Sequence, residues 1–189
     1  MELALIIVAA ALTFGVCYLV DKGYTKKFRS APQHLSGLSV RLNRRYGVIG
    51  LALTVLGVAG MMAGLREGWF MVAGGGFLVA TGLAFVAYYI SWGIYYDEDT
   101  FLVCGFGRKS RTYYYRDIQS QGLFNASGNI VIELYMKDGS AVQLQAAMEG
   151  AYAFMDKAFS AWCRQKGIRE ETCDFHNSQQ CRWFPAAEE

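Results

Sequence analysis

Charge is scarce in this sequence and proline scarcer still. Charged residues make up 18% of the 189 residues, against about 25% in an ordinary soluble domain, so solvating side chains are too few for a typical water-soluble protein. Two prolines exclude a proline-rich linker, and a hydrophobic content of 53% excludes a disordered chain, which needs low hydrophobicity. There are two histidines, His34 and His176. Neither stands in a pattern with Ser or Cys that would activate a nucleophile, and no phosphate-cradling glycine loop precedes a helix. Gly105-Phe-Gly107 joins two strand patterns, the wrong context for a dinucleotide site. Five cysteines, odd in number and without close pairs, do not form a secreted disulfide framework. A net charge of +2 gives no general field for nucleic acid. These absences predict a protein that is not an enzyme, carries no cofactor and binds no nucleic acid.

The residues of metal-ligating type lie near the end of the chain. Cys173-x2-His176-x4-Cys181, with Cys163 upstream, contains the four donors of a Cys3His zinc site. The long gap between Cys163 and Cys173, and the acidic residues Glu170, Glu171 and Asp174 around it, speak against a zinc module. The expectation is no metal and a disordered or loosely docked tail with reduced thiols.

What the chain has in quantity is long apolar runs. Leu3–Val20 spans 18 residues without a charge, Tyr46–Leu65 spans 20, and Gly68–Tyr96 spans 29. A helix crosses the hydrocarbon core with roughly 17–25 apolar residues, so three transmembrane helices are expected, at 1–20, 46–65 and 69–92. Trp69, Phe70, Tyr88, Tyr89, Trp92, Tyr95 and Tyr96 stand at the ends of the third run, where interfacial aromatics belong. The first run has only Glu2 ahead of it. A cleaved signal peptide carries positive charge there, so the run is expected to be a retained anchor.

Between Asp21 and Arg45 lie Lys22, Lys26, Lys27, Arg29, Arg41, Arg44 and Arg45, seven bases against one acid for a net of +6. The positive-inside rule assigns this loop to the cytoplasm, leaving the N-terminus outside and the C-terminal half cytoplasmic, in a multi-pass cell-membrane protein. The same bases sit within reach of anionic headgroups, each worth about 1 kcal/mol near the surface, so the 21–45 loop is also a candidate lipid contact. A transport path requires polar or ionisable groups at membrane depth; the runs contain no Asp, Glu, Lys, Arg or His, and their interior polar groups are only Thr13, Cys17, Thr54, Thr81 and Ser91. Small residues are present instead. Gly60-Met-Met-Ala-Gly64, flanked by Gly57, allows close helix packing in lipid, within one bundle or between copies in a homo-oligomer.

After Tyr96 the pattern alternates. Strands are expected at 93–96, 100–106, 110–115, 118–124, 130–136 and 141–145. Asp138-Gly139 is a hairpin signal, and Ile130, Ile132, Leu134 and Met136 fall on one face. Tyr152, Met155, Phe159 and Trp162 then follow helical spacing from about Glu149 to Lys166, with Gly167 as the stop. The expected architecture is a membrane α-helical part plus a curved antiparallel sheet of about six strands over 93–167, closed by a C-terminal helix, with an acidic tail at 168–189.

Four stretches carry a likeness: Tyr96-Asp-Glu-Asp-Thr-Phe-Leu-Val103, Gly105-Phe-Gly-Arg-Lys109, Tyr115-Arg-Asp-Ile118 and Lys137-Asp-Gly-Ser140. In this order, directly after membrane helices, they resemble the pleckstrin-homology-like domains of small bacterial membrane proteins. The resemblance implies a binding or scaffolding module with a protein partner and no catalytic residues. Better-studied members of that superfold bind phosphoinositides through a basic loop between the first two strands. Here that turn is the acidic Asp97-Glu98-Asp99. The basic turn is the next one, Arg108, Lys109 and Arg111, and with Tyr113, Tyr114 and Tyr115 it forms the candidate partner surface. Residues 97–167 hold eight bases and eight acids, so this module has no net pull toward anionic lipid.

Overall fold

The computed structural model describes residues 31–105, 108–126 and 128–187. The run Leu3–Val20 and the bases Lys22, Lys26, Lys27 and Arg29 lie outside the described residues. In chain order the elements are α1 (Pro32–Leu35), β1 (Ser39–Arg41), α2 (Arg44–Glu67), α3 (Trp69–Ser91), β2 (Gly93–Tyr96), β3 (Thr100–Gly105), β4 (Arg108–Tyr114), β5 (Ile118–Ala126), β6 (Asn129–Met136), β7 (Ala141–Gln145) and α4 (Ala151–Lys166). They fall into two compact units. One contains Asn43–Trp92, and the other joins Ser30–Leu42 to Gly93–Glu189.

The first unit is a helical hairpin. Helices α2 and α3 are each long and apolar enough to cross a membrane, and most of their length is unburied. Gly68, at φ 142°, makes the turn, and its amide donates to the Gly64 carbonyl at 2.9 Å. The two helices approach through glycines spaced by seven: Gly50, Gly57 and Gly64 on α2, Gly75 and Gly82 on α3. A Cβ on Gly57 would stand 2.6 Å from the Gly75 carbonyl oxygen, and a Cβ on Gly75 would stand 2.6 Å from that of Gly57. Of the expected packing residues, Gly57 and Gly64 are therefore at the closest approach. Gly60 is not, since its nearest neighbour, the Gly75 Cα, would be an ordinary 3.6 Å away. The seven-residue spacing, two turns of helix, governs this contact more than the GxxxG does.

The second unit is antiparallel. Strands β1-β2-β3-β4 form one sheet and β5-β6-β7 another. Seven strands in two sheets thus replace the single curved sheet of about six that the sequence predicts. The six expected strands are present within two residues at either end, and the added one is β1. It pairs with β2 in the register Ser39↔Tyr95, Val40↔Ile94 and Arg41↔Gly93. Part of the predicted 21–45 loop is therefore sheet, and Asp97–Asp99 joins the second and third strands, not the first two.

Helix α4 packs on the strands through Phe154, which meets Tyr96 and Phe101. Phe154, Met155, Ala158, Phe159 and Trp162 are buried along it, and Phe101, Tyr115, Ile94, Ile118, Leu134 and Met136 are buried in the strands and the turn before β5. Each such large side chain contributes roughly 1.5–3 kcal/mol when removed from water. Phe101 lies 5.4 Å from the rings of Tyr115 and Phe154, and the Trp162 indole N–H donates to the Ile118 carbonyl at 2.9 Å. Gly150, at φ 82°, starts α4 where a Cβ would meet the Ser39 carbonyl oxygen at 2.6 Å. Main-chain bonds between Arg41 and Glu149, at 3.0 and 3.1 Å, hold this junction.

The tail departs from expectation. Cys173, Cys181, Trp183 and Phe184 are buried, so residues 173–187 pack firmly within the second unit, where the sequence predicts a disordered or loosely docked tail. Two aromatic side chains hidden from water outweigh the acids Glu170, Glu171 and Asp174, which are exposed.

Candidate functional site

The predicted partner surface separates into an exposed part and a core residue. On β4, Arg111 reaches Asp138 at 3.5 Å with both side chains more than half exposed. The Asp138 carboxyl is held below its ordinary range, first by the Ser140 hydroxyl and amide and then by Arg111. The Ser140 hydroxyl also lies 3.2 Å from that of Tyr113. Tyr114 is 48% exposed, with the Arg116 guanidinium 4.9 Å from its ring centroid. Arg108 and Lys109 begin β4. Tyr115 does not belong to this surface: it is fully buried, and its hydroxyl donates to the Asp97 carbonyl at 2.9 Å. Three consecutive tyrosines read as one aromatic patch in sequence. In the structure β4 ends at Tyr114, and the following 3-10 turn rotates Tyr115 inward.

The acidic turn is structural. The Asp97 carboxylate accepts from the amides of Asp99 and Thr100 at 2.9 and 2.7 Å. Arg164 of α4 binds Asp99 at 3.1 Å and donates to the Glu98 carbonyl at 2.7 Å. The turn thus ties the end of α4 to the first sheet. Gln33, buried on α1, adds a bond to the Thr100 hydroxyl at 2.7 Å.

Of the basic residues expected at headgroups, three are described. Arg41 is a sheet residue whose guanidinium lies 4.8 Å from the Tyr95 ring centroid. Arg44 and Arg45 open α2, after Asn43, whose side chain accepts from the Arg45 amide at 3.1 Å. Cations oppose the macrodipole at a helix N-terminus, so the dipole does not favour these two arginines there.

The four metal-type residues do not converge. Burial, and after it the neighbouring Cys173, push the Cys163 thiol up to about 12, while the Cys173 thiol points to the Arg169 carbonyl at 3.8 Å. The Cys181 sulfur instead lies 3.1 Å from the Tyr152 hydroxyl, and the His176 ring stacks on Phe159 at 4.1 Å. Among the described residues no group of three or more His, Cys, Asp or Glu is placed to hold a metal ion.

Two residues that the sequence reading passes over carry the tail: Gln121 in β5 and Trp183. Gln121 is 4% exposed and bonded to the main chain of Cys181, Trp183 and Phe184. The one signal for Trp183 was an aromatic pair, Trp183-Phe184, inside a polar segment. No protein-family model, curated protein or solved structure matches the chain.

Proposed function

We propose that this protein is a non-enzymatic, multi-pass membrane protein that presents a pleckstrin-homology-like interaction module to a protein partner at the inner face of the cell membrane. The observation that carries the reading is the place of the hairpin in the chain. Strands β1 and β2 are hydrogen-bonded neighbours, and everything between them is α2 and α3, two helices apolar enough to cross a membrane. Antiparallel strands followed by a helix are what the resemblance implies; here seven strands in two sheets precede the helix, and the anchor is inserted between the first two strands. In the phosphoinositide-binding members that connection carries the lipid site. Here it is the anchor itself, so membrane attachment replaces headgroup recognition there. In this reading the first apolar run is a third crossing, the N-terminus is outside, and the exposed edge of β4 around Arg111, Tyr113 and Tyr114 meets the partner.

A second reading, contact with anionic lipid through the basic 21–45 segment, is favoured by Arg44 and Arg45, adjacent cations at the start of an apolar helix whose dipole does not favour them there. Both readings share one orientation. Single cysteines introduced at Glu98 and Glu67 are expected to differ toward a membrane-impermeant maleimide on intact cells, with Glu67→Cys labelled and Glu98→Cys protected. A photocrosslinker at position 114 is then expected to trap a discrete protein band that one at position 160, exposed on α4, does not. Labelling of Glu98→Cys from outside overturns the orientation. Identical crosslinking at 114 and 160 overturns β4 as the contact surface.

A further inference from the structure

Gln121 makes five hydrogen bonds to the tail. Its amide N–H donates to the Pro185 carbonyl at 2.7 Å and its carbonyl accepts from Ala187 at 3.1 Å, which seats Ala186 as a parallel bridge on the outer edge of β5. Its side-chain oxygen accepts from the amides of Trp183 and Phe184 at 2.9 and 3.2 Å, and its side-chain nitrogen donates to the Cys181 carbonyl. Every one of these partners is tail main chain, so this part of the contact is indifferent to tail sequence.

Sequence enters through two side chains. Trp183 is fully buried, donates from its indole N–H to Asp156 at 2.6 Å, and meets Tyr152 edge-on at 5.5 Å. Phe184 meets the rings of Trp162 and Phe159 edge-on at 5.7 and 6.2 Å. Main-chain pairing along a strand edge for affinity, with pockets for particular side chains, is how folded domains take extended peptides. The connector supports the same view. Ile168 to Thr172, between the left-handed cap Gly167 and the docked segment, is exposed throughout, so the tail is joined to the module by solvated chain.

We propose that the groove between β5 and α4 is a peptide-binding site, occupied in this structure by the chain's own residues 181–187. It takes from a protein partner an extended segment of the same chemistry, two adjacent aromatics followed by proline, with the tail as its competitor. The groove is separate from the β4 surface, and the inference holds whether or not that surface binds anything.

The test uses the full chain in detergent and a labelled synthetic peptide of residues 178–187. A variant ending after Thr172 is expected to bind the peptide saturably and at least about tenfold more tightly than the full chain, since the tethered tail competes at high effective concentration. Gln121→Leu in the shortened variant, or Trp183→Ala in the peptide, is expected to weaken binding by about tenfold or more, as loss of an anchor does. A shortened variant that keeps its cooperative melt yet binds no peptide overturns the proposal. Should that variant not fold, hydrogen exchange in the intact chain decides instead. Amides of Trp183, Phe184 and Ala187 exchanging at least about tenfold faster than those of Phe154–Trp162 mark a tail that opens by itself. Equal protection makes the tail part of the core and overturns the proposal.

Discussion

Cys163 shows how burial becomes a pH dependence. Its thiol is raised from an ordinary 9.0 to about 12 by burial and by the adjacent Cys173. The folded state holds the proton more tightly than the unfolded one, so the associated stability is complete below about pH 9 and is lost as pH rises toward 12. The denaturation midpoint is expected to fall between pH 8 and pH 10.5, and to fall less in Cys163→Ala. Equal pH dependence in the two proteins would remove this thiol from the account. Tyr115, raised by burial and the nearby Asp97, adds to the decline in both. At this scale the sequence was only partly readable. Gln121 was passed over, and strict alternation from Ile118 would point it outward. The register shifts between Ile118 and Ser120, and such a bulge reverses the alternation beyond it. Nothing in the residue types of a polar strand signals where that extra residue will fall.

Helices and strands were more legible than single side chains. The apolar runs over α2 and α3 and the alternation along β6 are long enough for their period to be counted, and the expected and observed limits agree closely. Strand β1 is three residues, Ser-Val-Arg, inside a basic segment, and its partner lies beyond both helices. No local window contains that pairing. The helix contact was legible in kind, since glycine marked it, but not in register, because the frequent GxxxG obscured the repeat of seven. Gly57→Leu is expected to cost about 1–3 kcal/mol, as overpacking does, by pressing a side chain into the Gly75 backbone. Gly74→Ala and Gly76→Ala, which would meet nothing within 4 Å, should leave stability unchanged. Aggregation temperatures of the detergent-solubilised variants measure both. Destabilisation of all three alike would mean that the hairpin is held by something other than the Gly57–Gly75 approach.

For the molecule as a whole, the informative fact is that its β-rich unit is assembled from two separated pieces of chain. Residues 93–189 alone lack β1 and leave β2 as a bare edge, and uncovered edges template aggregation. That fragment is expected to aggregate. Joining 30–42 to 93–189 through Asn-Gly in place of 43–92 should yield a dispersed, cooperatively melting domain, because Arg41 already lies opposite Gly93 and Leu42-Asn-Gly then closes a three-residue hairpin loop with Gly at its left-handed position. Circular dichroism and size-exclusion chromatography distinguish the two. Equal behaviour would show β1 to be dispensable. The sequence revealed both units but not the interleaving, because an insertion leaves no mark on composition at either junction.

The interleaving also orders events at the ribosome. Strand β1 emerges before the helical hairpin and β2 after it, so the first strand of the nascent sheet waits alone for the whole of α2 and α3 to be synthesised. A chain stalled in between offers a lone three-residue strand with nothing to zip against, which is the moment at which a chaperone or a protease has the most to grip.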